Sequence, residues 1–226
     1  MPRSILFLAL LFYGLTAWAS SESGLWSKLN GSQQQQLCSG IPVMIEEDIP
    51  NNPWPRFTVY HLTKASPSQV AAVFWDCERD PDYVPNCLSV RLLSCPQPWI
   101  HDGEYTLKMP FFLPDEVYVS RNEVKLISPE VYEISWKVLR SRYIKGCSGN
   151  LRLEPHGEST ILCYSNLVMP GSRIATLLRT RAGNQVLGTV SSLVQQTEKE
   201  IAKNPTLMER QLHEMENSLA PAPRVR

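Results

Sequence analysis

The stretch PGSRIATLLRTRAGNQVLGTVSSLVQQTEKEIAK, residues 170–203, decides how the chain folds. After the break at Pro170-Gly171-Ser172 an apolar residue returns at every fourth position, at Ile174, Leu178, Ala182, Val186, Val190 and Val194, and the pattern continues through Thr197 to Ile201. That spine is one face of an amphipathic helix. About 30 residues at 1.5 Å each span roughly 45 Å, enough to cross a whole β-sheet. Pro205 ends the run because it cannot donate the next backbone hydrogen bond. Such a helix needs an apolar surface to lie on.

Upstream the period changes. Leu88 to Leu93, Tyr105 to Met109, Val117 to Ile127, Tyr132 to Arg140, Gly149 to Leu153 and Thr160 to Met169 are β-rich runs parted by Pro, Gly, Asp and Ser. Six strands in succession predict an antiparallel meander. In the two clearest, Tyr105, Leu107 and Met109 alternate with Glu104, Thr106 and Lys108, and Tyr132, Ile134, Trp136 and Val138 alternate with Glu133, Ser135 and Lys137. One face is therefore wet and the other covered. A further strand falls at Phe57 to Leu62. Ser66-Pro67-Ser68-Gln69 then supplies the N-cap, the N1 proline and the reciprocal N3 glutamine of a helix with the stripe Val70, Val73, Phe74, Cys77. The prolines of Asp80-Pro81-Asp82-Tyr83-Val84-Pro85 stop it.

Four segments follow. Residues 1–19, with Arg3, an apolar run from Ile5 to Leu15 and Ala17-Trp18-Ala19 before Ser20, read as a cleavable signal peptide; the run falls short of the ~20 apolar residues of a membrane span. The expected product is exported, periplasmic or secreted. Residues 20–55, with the Gln33–Gln36 run and Pro50-Asn51-Asn52-Pro53-Trp54-Pro55, read as a loose N-terminal extension with one short strand near Ile41 to Ile45. Residues 56–203 form the compact domain. Residues 204–226 read as an amphipathic tail helix through Met208, Leu212, Met215 and Leu219, followed by a disordered Pro-rich end.

One strand, a short helix, six antiparallel strands and a long C-terminal helix are the element order of an α+β helix-grip fold, a curved antiparallel sheet of about seven strands wrapped around that last helix. The stretch Ser66 to Asp76, the sequence Asp82-Tyr83-Val84-Pro85 and Pro170-Gly171 leading into the last helix resemble the START-like superfamily over about residues 56–203. That group includes polyketide cyclases, coenzyme Q-binding proteins and ligand carriers of the birch-pollen-allergen type. The resemblance implies a hydrophobic cavity between sheet and long helix that holds a sterol, phospholipid, quinone or polyketide. The Gly-rich loop of many relatives is reduced here to Gly171, Ser172 and Arg173.

Composition narrows the chemistry. The chain of 226 residues carries 22 Lys+Arg against 22 Asp+Glu and no dense basic run, so it lacks the electrostatic footprint of a nucleic-acid binder. No P-loop, G-x-G-x-x-G, G-x-S-x-G or H-E-x-x-H occurs, which removes the sequence basis for phosphate cradles, dinucleotide sites, serine elbows and zincin helices. Gly146-Cys147-Ser148-Gly149 resembles a nucleophile turn only superficially. His61, His101, His156 and His213 are scattered without ligand spacing, so neither a metal nor another cofactor is expected. Six cysteines have no C-x-x-C among them. Cys147 and Cys163 fall on neighbouring strands and form the best candidate disulfide; the competing reading is small buried hydrophobes. Asn30-Gly31-Ser32 is a lone glycosylation sequon, for which chance is the default.

The candidate ligand-binding set is Tyr105, Leu107, Met109, Val119, Arg121, Glu123, Ile134, Trp136, Val138, Arg140, Leu178 and Val186. Arg121 and Glu123 share the parity of Val117 and Val119, and Arg140 that of Trp136 and Val138, so unbroken register points all three charges inward as an ion pair or a polar anchor. A twist or bulge would instead take them to the rim. Tyr105, Trp136 and Tyr164 read as an aromatic wall or as core filling, and Gly183 and Gly188 as close helix packing or a hinge. The reading is an exported, non-catalytic, monomeric binder or carrier of a hydrophobic small molecule, with transient membrane contact. The alternative is a polyketide cyclase or dehydratase using Tyr105, Arg121 or Glu123 as proton carriers.

Overall fold

The β-rich runs resolve into a single antiparallel sheet in the computed structural model, which describes residues 24–109, 113–171 and 179–219. Its strands are β1 (Val43–Glu47), β2 (Arg56–Thr63), β3 (Cys87–Gln97), β4 (Ile100–Leu107), β5 (Glu116–Ser128), β6 (Val131–Ser141), β7 (Ile144–His156) and β8 (Ser159–Pro170). They lie in the order β1-β2-β8-β7-β6-β5-β4-β3, so the meander from β3 to β8 ends beside β2. The sheet has eight strands because the short strand of the leading segment joins it as an edge.

The helices are α1 (Gly31–Cys38), α2 (Pro67–Trp75), α3 (Arg179–Lys203) and α4 (Pro205–Ser218). Ser66 and Gln69 cap α2 reciprocally, with Pro67 in the first turn. α2 and the C-terminal half of α3 pack on the inner face of the sheet, where Val70, Val73, Leu193 and Val194 meet Val124, Ile134, Leu151, Leu153 and Leu162. Farther along α3, Val186 and Val190 pack on Phe57 and Val59. Gly183 lies against the Phe57 ring, 3.0 Å from where a Cβ would stand, which accounts for the glycine by close helix-to-sheet packing.

Two segments are better ordered than their polarity suggests. Residues 24–55 build a second core on the outer face, where Leu25, Leu29 and Leu37 pack on Val43, Tyr60 and Ile161. The Gln run lies in α1, where Gln35 and Gln36 are exposed and half-buried Gln34 donates to the Trp26 and Leu29 carbonyls, and Asn30 is the N-cap in a reciprocal box with Gln33. The Asn30 side chain of the sequon thus has a structural use. The tail helix α4 folds back on α2, burying Met208, Gln211 and Met215. Residues 1–19 and Leu178 lie outside the described residues. No described helix is long and apolar enough to cross a membrane.

Met215 is fully buried, so Met215→Ala should destabilise the protein by about 2–5 kcal/mol. Urea unfolding checks this; an unchanged midpoint would mean that α4 is dispensable to the core.

Candidate functional site

The inner face is filled unequally. Beneath α2, Ile134, Leu151 and Leu162 are at most 1% exposed. One inner-facing step along the same strands, Trp136, Gly149 and Tyr164 take their places; Trp136, Tyr164 and nearby Cys147 border a cavity of about 420 Å³ between the sheet and α3. α3 contributes Ala182, Gln185, Val186 and Thr189, one helical stripe. Phe74 from α2 and Asp80 and Val84 from the turn after it close one side. Exposed Lys108 and Arg181 flank the opening.

The aromatic wall is fixed in place. The Trp136 indole lies 4.8 Å from the Tyr164 ring and 5.9 Å from Phe74 between centroids, and its Nε1–H donates to Asn166 Oδ1 at 3.3 Å. A Cβ at Gly149 would fall 2.3 Å from both Trp136 Cζ2 and the Ser165 carbonyl oxygen, so only glycine lets the indole lie against β7. Tyr105 and Tyr118 stack at 5.0 Å with an interplanar angle of 5°, and Asn122 Nδ2 donates to the Tyr105 hydroxyl at 3.3 Å.

These polar groups are neutral. Burial holds the Tyr105, Tyr118 and Tyr164 hydroxyls well above the ordinary tyrosine range, and burial pushes the Cys147 thiol up to about 12. Cys147 is therefore a poor nucleophile, and its sequence neighbourhood is plain β7 strand. Asp80, half-buried on the wall, has its carboxyl pushed up to about 8 by desolvation; the hydrogen bond from Tyr83 Oη, 2.8 Å away, opposes that rise and Asp76 adds to it. Glu116 is buried at the edge of the cavity, where its carboxylate accepts from the Ser141 hydroxyl and the Arg142 and Tyr143 backbone N–H groups at 2.9–3.0 Å. That carboxylate ties the β6–β7 turn to β5.

Of the sequence-derived set, Tyr105, Leu107, Met109, Trp136, Val138 and Val186 border the cavity, while Ile134 sits in the dry core beside it. Val119, Arg121, Glu123 and Arg140 are on the outer face, contrary to the inward expectation. On β5 the inner residues are Tyr118, Ser120 and Asn122, the opposite parity. Arg121 makes a two-pronged pair with Asp102 at 2.7 and 2.8 Å, and Glu123 pairs with Lys125 at 3.0 Å. On β6 a bulge at Leu139 lets Ser120 pair with Val138 but Val119 with Arg140, which reverses Arg140 and brings it to Glu104 at 3.2 Å. Neither Arg121 nor Glu123 can carry a proton in the cavity. Cys147 and Cys163 stand opposite Val168 and Arg152, several rungs apart, and all six cysteines are free. Among the described residues no cluster of metal-ligating side chains occurs.

Asp80, Tyr118, Ser120, Asn122 and Cys147 were not singled out as lining residues from sequence. The only signal for the β5 group was the alternative phase of the same alternation.

No protein-family model and no curated protein matches the sequence. Solved structures do match the fold. A STAR-related lipid transfer protein from Xanthomonas axonopodis aligns with a TM-score of 0.63 at 15% identity, over 70% of this chain and 93% of that one. Human STARD10 aligns with a TM-score of 0.53 at 12% identity, over 80% and 86%. The Zhui aromatase/cyclase from Streptomyces sp. R1128 aligns with a TM-score of 0.52 at 12% identity, over 65% and 94%. The chain has the START-like helix-grip fold.

Two outcomes follow from this geometry. Gly149→Ala should destabilise the protein by about 1–3 kcal/mol through overpacking, read by urea unfolding; an unchanged midpoint would refute the Trp136–Gly149 contact. The unfolded chain releases the Asp80 proton near 3.8, whereas the folded protein keeps it to about 8. Between those values the folded state binds more protons, so Asp80 lowers stability as pH rises, by up to about 1.4 kcal/mol per pH unit. Asp80→Asn removes that loss, and its stability relative to the unmodified protein should increase from about pH 5 to about pH 8; a constant difference would contradict a carboxyl held protonated in the fold.

Proposed function

We propose that the protein is a non-catalytic binder or carrier of a hydrophobic small molecule, of lipid, sterol, quinone or polyketide-like class, held between the sheet and α3. The observation that carries this reading is the cavity of about 420 Å³ walled by Phe74, Trp136, Tyr164, Val138 and Val186, an apolar hollow in the size range of small-molecule sites. Neutral hydroxyl and amide groups at Tyr105, Tyr118, Ser120 and Asn122 suit a ligand with one uncharged oxygen-bearing end. The likeness of fold to lipid transfer proteins supports the class, as an analogy. In this reading residues 1–19 are a cleaved signal and the carrier works in the periplasm or as a secreted protein. Lys108 and Arg181 at the opening favour brief contact with an anionic membrane surface during loading.

Asp80 favours a second reading. A carboxyl held protonated on the wall of an apolar cavity is a candidate general acid, and an aromatase/cyclase shares the fold. As a cyclase or dehydratase the protein would use Asp80, with Tyr83 beside it, to protonate a leaving hydroxyl or an enolate oxygen. Turnover of a poly-β-ketone substrate that disappears in Asp80→Asn would establish this reading; retained binding without turnover supports the carrier.

Uptake of fluorescent acyl-chain and sterol probes from vesicles tests the carrier. Ala182→Phe and Gln185→Trp, which fill the cavity from α3, should weaken uptake at least about tenfold with the fold retained by circular dichroism. Arg140→Ala on the outer face should leave uptake unchanged. Equal uptake by the filled variants, or none from a lipid, sterol, quinone and polyketide panel, would contradict the proposal.

A further inference from the structure

A second hollow of about 220 Å³ lies where the C-terminal end of α2 meets the β3–β4 hairpin and α4, and it shares no bordering residue with the cavity under α3. Its wall holds polar groups that the fold leaves unmet. His101 is 6% exposed, packs its ring 4.1 Å from that of Trp75 between centroids, and has no hydrogen-bond partner for Nε2 among the described residues. Gln211 is 1% exposed; its Nε2 donates to Asp76 Oδ2 at 2.9 Å while its Oε1 is unpartnered among the described residues. Burial without a partner is costly for such groups, and two of them border one hollow.

The remaining wall sets the charge that would satisfy them. Asp76, Glu78 and Glu214 border the hollow, and among the described residues no Lys or Arg does. Glu78 accepts a long 3.5 Å contact from the Leu92 backbone N–H, and Glu214 has a 3.7 Å pair with exposed Arg210. Arg79, nearby on the turn after α2, is already engaged by Asp82 and Glu200. Burial pushes His101 down to about 4, so near neutral pH it is an uncharged imidazole able to accept a hydrogen bond. An anion entering here would meet three carboxylates, and a hydrocarbon would leave Gln211 and His101 unmet. A cation with N–H donors meets both requirements, and the Trp75 indole offers a π-surface to its body.

We propose that the hollow bordered by Trp75, Asp76, His101 and Gln211 is a binding site for a small organic ammonium group, free or carried on a lysine side chain. The ammonium donates to Asp76 and, as the Gln211 amide turns toward the hollow, to Oε1, which is covered in the unliganded protein; its carbon body packs on Trp75. The site is independent of what the larger cavity carries.

The test is a titration of the ¹⁵N-labelled full chain, near pH 7, with benzylamine, benzyl alcohol and benzoate, followed by the Trp75 indole and Gln211 side-chain amide resonances. Benzylamine should shift both saturably, at least about tenfold more tightly than benzyl alcohol, and benzoate should shift neither. Glu78→Gln combined with Glu214→Gln alters two exposed side chains and should weaken benzylamine binding severalfold with the rest of the spectrum unchanged. A lysine-bearing peptide that shifts these resonances where benzylamine does not would still establish the ammonium site and assign its source to a partner chain. Equal binding of amine and alcohol, indifference to the double substitution, or no saturable shift with either amine would overturn the proposal.

Discussion

The architecture rests on one constraint: the inner face of an eight-stranded sheet must be covered, and α2 and α3 cover it unequally. Where the nine residues of α2 pack on the sheet and against α3, Ile134, Leu151, Leu153, Leu162 and Leu193 form a core with almost no exposure. Where α2 ends, nothing replaces it among the described residues. The strands continue beyond it, and α3 stays at a distance set by Phe57 against Gly183 and Val186. A hollow results, and its walls are the same strands that close the core one step away.

The charges follow from this division. The cross-strand ion pairs of β3 to β6 lie on the outer face, where Arg121 meets Asp102 and Glu104 takes both Arg91 and Arg140. The cavity wall keeps neutral hydroxyls, amides and the raised carboxyl of Asp80, as expected where desolvation disfavours charge, and Glu116 at its edge is held by Ser141 and the β6–β7 backbone. Among the described residues its bordering cations are the exposed Lys108 and Arg181. A hollow so lined is suited to an apolar molecule with a weakly polar end, which is the property the proposed carrier requires.

The sequence revealed most where periodicity is long. The fourfold spacing of Ala182, Val186, Val190 and Val194 identified α3 and its inward side, and the alternation at Tyr105–Met109 and Tyr132–Val138 placed Tyr105, Leu107, Met109, Trp136 and Val138 on the cavity wall. It misled at β5, because period-two alternation says which residues share a face and not which face is inner. A hollow tolerates Ser120 and Asn122 inside, while Val119 is buried on the outside beneath paired charges. The bulge at Leu139 has no local signature, yet it decides where Arg140 points. Residues 24–55 read as loose because their buried apolar side chains, Leu25, Leu29, Leu37 and Val43, are few and far apart in a polar run. Asp80 is a single carboxyl beside a proline-rich turn, and only the packing of Tyr83 and Tyr105 around it makes it distinctive.

The most direct measurement of the central claim is native mass spectrometry of the protein purified without detergent, followed by solvent extraction of whatever it releases. The account predicts one apolar molecule per chain, absent from Trp136→Ala. A chain whose mass is that of the polypeptide alone, and which stays so after incubation with lipid, sterol, quinone and polyketide extracts, would contradict it.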